Sequence, residues 1–366
     1  MKLLLTFRTL LTFILILGYS TINFGQTPKF VNEFLNIGVG AEAHGMFGSV
    51  AASVDDVTAA YWNPAGLANI ESSMQLSAMH ASWFGGISNY DYIGAAKVFN
   101  DRRNRSVGAI TFIRMGVDGI PNTLNLVGPD GSINYDNVTT FSAADYALMA
   151  SFGKMIEDLN LNFGMTGKII HRRIGPFGNA WGIGFDAGIQ YQLKGFKLGL
   201  MGRDITTTVN AWSFNLSEDD QAVFAATGND IPISSTEIAL PKLVLAAAYG
   251  GESGALSYLV EADFRLSTDG TKAGVLSGNR IGVDPTFGFQ LGYDDLVFLR
   301  LGFGNMQNII NELNSEQNSF TLQPNVGLGV KLGRIHIDYA LTNIGSLSEV
   351  LVSHVFSAKL DFNSRY

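Results

Sequence analysis

Cysteine is absent from the 366 residues. That excludes a disulfide framework, thiol catalysis and the cysteine that an N-terminal lipid anchor would need. Charge is scarce: Asp, Glu, Lys and Arg make up 15% of the chain, against about 25% in ordinary soluble domains. The balance is acidic, with a net charge of -8, so the basic footprint of a nucleic-acid partner is missing. The one basic cluster, Arg102, Arg103 and Arg105, reads as a solvated turn. The five histidines, His44, His80, His171, His336 and His354, lack metal-ligand spacing, and no HExxH, EF-hand loop or GxSxG elbow occurs. No cofactor or metal site and no enzymatic activity are expected. After residue 26, no stretch reaches the roughly 20 uninterrupted apolar residues of a spanning helix.

The chain opens with Lys2 and Arg8 flanking an apolar run at Leu10–Gly18. This is the pattern of an export signal cleaved near Gly25 or Gln26. A short anchor is the alternative, although the run is short for a span. Without a spanning helix, a place in a membrane requires a closed barrel, because lipid offers nothing to an open sheet edge. The abundant residues agree. There are 42 glycines and 25 phenylalanines with 46% hydrophobic residues, which suits a membrane barrel with aromatic girdles; a large soluble all-β protein has similar composition.

Period-two alternation separates the two. Trp181, Ile183, Phe185, Ala187, Ile189, Tyr191 and Leu193 share one face, with Gly182, Gly184, Asp186, Gly188, Gln190 and Gln192 on the other. Leu256–Leu266 repeats the pattern and places Glu261, Asp263 and Arg265 on its polar face. Soluble strands average about 5–6 residues, and several here run to ten or more, the length that crosses a bilayer at a tilt. About fourteen strands are expected between Met74 and Phe362. The predicted connections alternate. Short turns fall at Asn100–Arg105, Met155–Asp158, Lys194–Gly195, Gly250–Gly254, Asp294–Leu296 and Gly333. Long loops fall at Gly116–Thr140, Ile205–Leu240, Ser267–Pro285 and Asn305–Phe320, with Gly175–Asn179 a short exception. Short inner turns, long outer loops and an even strand count fit an outer-membrane barrel. Glu261 and Asp263 then read as a lumen charge network, and Glu218–Asp220 as a solvated loop.

The segment before the first strand, Asn36–Ala68, is too rich in Gly and Ala for a barrel strand. Ser53 and Asp56 have capping-box spacing. A short helix should follow through Val57–Trp62 and end at Asn63, because Pro64 disfavours helical geometry there. The segment reads as a hatch in one end of the barrel or as an ordinary capped helix beside a turn. The domains expected are a signal peptide at 1–26, a hatch at 27–72 and an outer-membrane barrel at 73–366.

Gly38-Val39-Gly40-Ala41, Asp55-Asp56 and Ala60-Tyr61-Trp62-Asn63-Pro64-Ala65-Gly66-Leu67 form one set of motifs. Ile337-Asp338-Tyr339-Ala340-Leu341, a Gly345-Ser346-Leu347 turn and the final HVFSAKLDF strand form another. Together they resemble the PorV/PorQ family within the FadL-like group of outer-membrane barrels. Ala43–Phe47 departs from the more basic hatch expected of that branch. The resemblance implies an all-β, transmembrane, antiparallel barrel of about 14 strands with an N-terminal hatch in the lumen. It makes Asp55, Asp56, Tyr61, Trp62, Asn63, Pro64 and Ala65 the hatch motif. The PorV/PorQ branch implies a type IX secretion role at the outer membrane, binding a translocon or secreted cargo. The loop residues Trp212, Phe214, Val223 and Phe224 are candidate contacts for such a partner, or a lid over the barrel mouth. The FadL branch implies passage of long-chain fatty acids or other hydrophobic small molecules. Met46, Phe47, Tyr61 and Trp62 would then line an apolar pocket, or simply seat the hatch.

Overall fold

A computed structural model describes residues 31–99, 105–128, 131–268, 281–310, 318–342, 344 and 352–363. The expected signal peptide, most of the Asn100–Arg105 turn and the Gly345–Leu347 turn lie outside the described residues.

The strands are β1 (Met74–Trp83), β2 (Ser88–Val98), β3 (Ser106–Asn122), β4 (Thr139–Ile156), β5 (Leu161–Ile174), β6 (Gly178–Leu193), β7 (Phe196–Arg203) and β8 (Thr208–Phe214). They continue as β9 (Thr236–Ala239), β10 (Lys242–Ser253), β11 (Leu256–Ser267), β12 (Gly282–Tyr293), β13 (Val297–Ile310), β14 (Asn318–Leu332), β15 (Ile335–Thr342) and β16 (Ser353–Phe362). All pair antiparallel with their neighbours, and the ring closes where β1 meets β16, from Met74 opposite Phe362 to Ser82 opposite His354. Sixteen segments make a closed fourteen-strand barrel. β6 pairs with β7 along Ala187–Leu193 and with β8 along Gly178–Ile183. β8 therefore continues the line of β7. β9 pairs with β8, and β10 with β7, so β9 and β10 form a second interrupted line beside it.

This corrects the reading of Ile205–Leu240 as a loop throughout. Both strands resume inside it, and a helix at Glu218–Ala226 lies between them. Ser217 caps that helix with Asp220 in a capping box, so the acidic run serves a helix start.

The apolar faces point outward. Trp181 is 58% exposed and Ile183, Phe185, Ile189 and Leu193 are also exposed, whereas Asp186 and Gln190 are buried. On β11, Leu256, Tyr258, Val260 and Phe264 face out, and Glu261 and Asp263 are each only 1% exposed. A soluble sandwich would reverse this arrangement. No described helix is long and apolar enough to cross a membrane. Short turns use the geometry that hairpins favour: Lys194 and Gly195 both take positive φ, 47° and 87°, the type I′ pattern that matches strand twist.

The buried core lies inside the barrel. It is made largely by the N-terminal segment, including Val39, Met46, Val57, Tyr61, Leu67 and Ile70, packed on inward residues such as Tyr90, Tyr92 and Ile113. The segment has little regular structure, only short turns of helix at Glu33–Asn36, Ala41–Gly45, Ala59–Trp62 and Pro64–Asn69. Its backbone polar groups need partners from elsewhere, and the polar inward faces supply them.

Candidate functional site

The seam between the N-terminal segment and the wall is built from those partners. Glu261 accepts the Ala52 amide at 2.6 Å and Asp263 the Ala51 amide at 3.2 Å. These carboxylates thus bind backbone directly. Gln75 accepts the Val57 amide, Thr166 donates to the Ala60 carbonyl, and Gln190 donates to the carbonyls of Ala51 and Val54. On β14, Asn325 donates to the His44 carbonyl.

Asn63, Pro64 and Ala65 lie where the segment touches the wall. The helix ends at Trp62, and Asn63 is extended with φ -161°, as the proline requires. The Asn63 side chain accepts from the Ala65 amide and donates to the carbonyls of Ala51, at 2.7 Å, and Ile189. Glycines leave room beneath. A Cβ on Gly164 would stand 2.2 Å from the Pro64 carbonyl carbon, and one on Gly188 would stand 2.0 Å from Asn63 Oδ1. The Ser53–Asp56 capping box does not form. Thr58 occupies the cap position without a capping side chain, and Asp56 instead accepts from the amide and hydroxyl of Thr58.

Asp56 meets Lys359 of β16 at 2.9 Å. Burial disfavours its carboxylate, but Lys359 and the Thr58 hydrogen bonds outweigh this and hold its pKa below the ordinary value. Glu42 is similar: burial opposes its charge, and Arg300 at 3.3 Å with Lys359 at 3.8 Å overcomes it. Arg300 also meets Asp338 at 2.7 Å. Tyr61 donates to the Leu35 carbonyl, and Trp62 Nε1 to the Val39 carbonyl at 2.8 Å. The Arg203 guanidinium lies over the Tyr61 ring at 4.4 Å and donates to the carbonyls of Leu35 and Tyr61. Lys359, Arg300 and Arg203 were legible only as inward-facing positions on their strands; nothing in their own spacing marked them.

Among the described residues, two cavities border the segment. One of about 490 Å³ lies toward the short-turn end, lined by Glu42, Met46, Asp55, Lys197, Tyr258 and Lys359. The other, about 40 Å³, sits behind the interrupted wall and is lined by Leu35, Tyr61, Met149, Arg203, Ile238 and Leu240. Met46, Phe47, Tyr61 and Trp62 therefore do not share one apolar pocket. Met46 borders the first cavity and Tyr61 the second, while Phe47 packs over Gly302 and Gly304, and Trp62 over Gly38 and Gly48.

At the interruption, Asp204 and Thr207 take positive φ, 53° and 65°, strained for residues with a Cβ. Lys168 meets Asp186 and Asp204, each at 2.7 Å. Asp186 accepts the Asp204 amide at 2.8 Å.

Trp212 does not stand in a mobile loop. It is 7% exposed on β8, stacked on Phe214 at 5.6 Å with Arg172 over its ring at 5.2 Å. Val223 and Phe224 are half-buried on the helix.

Asp55 faces the larger cavity, and enclosure by the wall pushes its carboxyl up to about 6, with Lys197 and Lys359 offsetting part of the rise. Burial beside Trp83 pushes His44 down to about 4. The two work in opposite directions. Asp55 favours the seated segment fully below its ordinary pKa of 3.8 and loses that contribution as pH rises through about 6. His44 favours it fully above 6.5 and loses that contribution as pH falls through about 4. Asp55→Asn should leave a segment that becomes protease-sensitive on acidification from pH 7 to 4. His44→Asn should leave one that becomes more sensitive as pH rises from 4 to 7. Limited proteolysis across that range reads both slopes.

No family model and no curated protein matches the sequence. Solved structures do. TodX, a toluene transporter of P. putida, matches with TM-score 0.55 and 14% identity over 90% of this chain and 99% of that one. CymD, a monoaromatic hydrocarbon channel, matches with TM-score 0.54 and 14% identity over 90% and 99%. A Pseudomonas aeruginosa FadL homologue matches with TM-score 0.53 and 13% identity over 89% and 98%. The fold is that of FadL-like outer-membrane barrels. These matches overturn the type IX secretion reading and favour its alternative, passage of hydrophobic molecules. The likeness supports the FadL-like group and does not confirm the PorV/PorQ branch, and the expected translocon or cargo partner is without support.

Proposed function

We propose that this chain is an outer-membrane channel for hydrophobic small molecules, without enzymatic activity, in which residues 27–72 act as a hatch. The observation that carries the reading is the likeness, over about nine-tenths of the chain, to barrels described as hydrocarbon channels and toluene transporters. Further support comes from the lumen. There the N-terminal segment packs Val39, Met46, Val57, Tyr61, Leu67 and Ile70 against inward wall residues, an arrangement that suits a hatch. The interruption between β7 and β8, matched by that between β9 and β10, leaves the Lys168–Asp186–Asp204 cluster where continuous pairing would otherwise run. We place the exit of the cargo there, between the 40 Å³ cavity and the lipid.

The test is uptake of toluene and of a long-chain fatty acid at limiting concentration by cells that lack other such channels. Cells carrying the folded barrel should take up at least one of the two faster than cells without it. Equal uptake of both, with the barrel shown to be inserted, would refute the reading.

A further inference from the structure

On some strands the outward apolar band is tall. On β6 it runs from Leu193 to Trp181, and on β14 from Leu332 to Phe320. On four neighbouring strands it stops early. The outward series ends at Phe356 on β16, Ala78 on β1, Ile93 on β2 and Phe112 on β3. The next outward residues are His354, His80, Asp91 and Arg114. His80 stands directly opposite Asp91, and Asp91 opposite Arg114. His80 Nδ1 lies 2.7 Å from Asp91 Oδ1, and Arg114 donates to Asp91 Oδ2 at 3.3 Å and to the Tyr146 hydroxyl.

Height decides what this cluster faces. His80 is six residues beyond Met74, which with Phe362 marks the short-turn edge of the band. Six residues rise about 20 Å along a strand, or about 15 Å of height at a barrel's tilt, inside an apolar band of about 25 Å. Charged groups on the lipid face at that depth are costly unless something polar covers them.

Directly below the cluster, the same four strands and β15 form an apolar groove of about 750 Å³ on the outer surface. Ala78, Ala95 and Ala358 make its floor, with Ile93, Ile110 and Leu360 standing higher around it. A greasy channel crowned by a cation and a carboxylate has the layout of one amphiphile: hydrocarbon below, a phosphate above, and a donor beside the phosphate.

We propose that the outer surface of β16 and β1–β3 binds one phosphate-bearing lipid. Its acyl chain lies in the groove over Ala78, Ala95 and Ala358. Its phosphate meets the Arg114 N–H groups that Asp91 and Tyr146 leave free, and an ammonium or hydroxyl of the head group meets Asp91. The occupant we assign is a phosphorylated glucosamine lipid of the outer leaflet, because the groove runs from the cluster toward the short-turn edge and so takes a head group from the long-loop side. The site lies on the outside of the wall and is independent of solute passage.

Native mass spectrometry of the full barrel in mild detergent, with the glucosamine lipid and an ethanolamine phospholipid added separately, tests it. The wild-type barrel should retain one copy of the glucosamine lipid; retention of the ethanolamine phospholipid instead, or of neither, would overturn the assignment. Arg114→Gln removes a charge-assisted hydrogen bond and should weaken retention about 10-fold. Ala78→Phe fills the groove and should do the same while leaving Arg114 in place. Heat-dependent gel mobility shows that each variant remains folded, and Arg114→Gln alone suffices should Ala78→Phe fail to insert. Equal retention by wild type and variants, or retention of a neutral diacylglycerol as strong as that of the glucosamine lipid, would overturn it as well.

Discussion

Gly164→Ala should unseat the N-terminal segment. The added Cβ would lie 2.2 Å from the Pro64 carbonyl carbon and 2.4 Å from the Ala65 nitrogen. Both are backbone atoms, which cannot swing aside as a side-chain tip can. Asn63, one residue away, holds the carbonyls of Ala51 and Ile189. Overpacking costs about 1–3 kcal/mol, and each displaced hydrogen bond adds about 1 kcal/mol. Together they amount to several kcal/mol directed at one contact. The barrel itself should survive, because β5 keeps its pairing with β4 and β6. The expected result is a folded barrel whose residues around Asn63–Gly66 are cut rapidly by a protease that spares the wild type. Gly167→Ala is the control on the same strand. Its Cβ would meet only the Phe185 ring, at 3.3 Å, and cleavage should stay at the wild-type rate.

Lys359→Met should have an effect of comparable size through charge. It leaves Asp56 buried without its cation and removes one of the two cations at Glu42. Breaking a buried pair by removing one partner costs about 3–5 kcal/mol. Adding Asp56→Asn should recover part of that loss, because the orphaned charge is then gone. The surface pair Lys331–Asp295 offers the contrast. Lys331→Met should cost at most about 1 kcal/mol, as exposed pairs do. Urea denaturation in detergent micelles, followed by tryptophan fluorescence, ranks the three variants.

Much of the barrel was legible because strand parity is a strong signal when one side is lipid. The series Trp181 to Leu193 could be placed outward from its composition alone, since its alternate residues are glycine, Asp186 and glutamines. The interrupted strands were not legible. β8 offers Thr208–Phe214, whose alternation is brief, and β9 only four residues. Their pairing depends on β6 extending past the end of β7, which is a tertiary fact. The motif Asn63–Ala65 could be marked as important, but the reason lay on three other strands. Gly153, Gly164 and Gly188 are far apart in sequence, and only the register of β4, β5 and β6 brings them under Pro64. The capping-box reading of Ser53 and Asp56 failed for a related reason. Lys359, three hundred residues away, and Thr58 compete for the carboxylate, and the local pattern carries no trace of that competition.

The N-terminal segment inside the barrel can be tested with a single disulfide, since the chain has no native cysteine. The Ala41 amide donates to Ser357 Oγ at 3.0 Å, while Phe356, the next residue on β16, points to lipid. Cysteines at positions 41 and 357 should cross-link in intact outer membranes, and cysteines at 41 and 356 should not. Absence of the first cross-link, or equal formation of both, would contradict a lumen-seated segment and an outward apolar face alike.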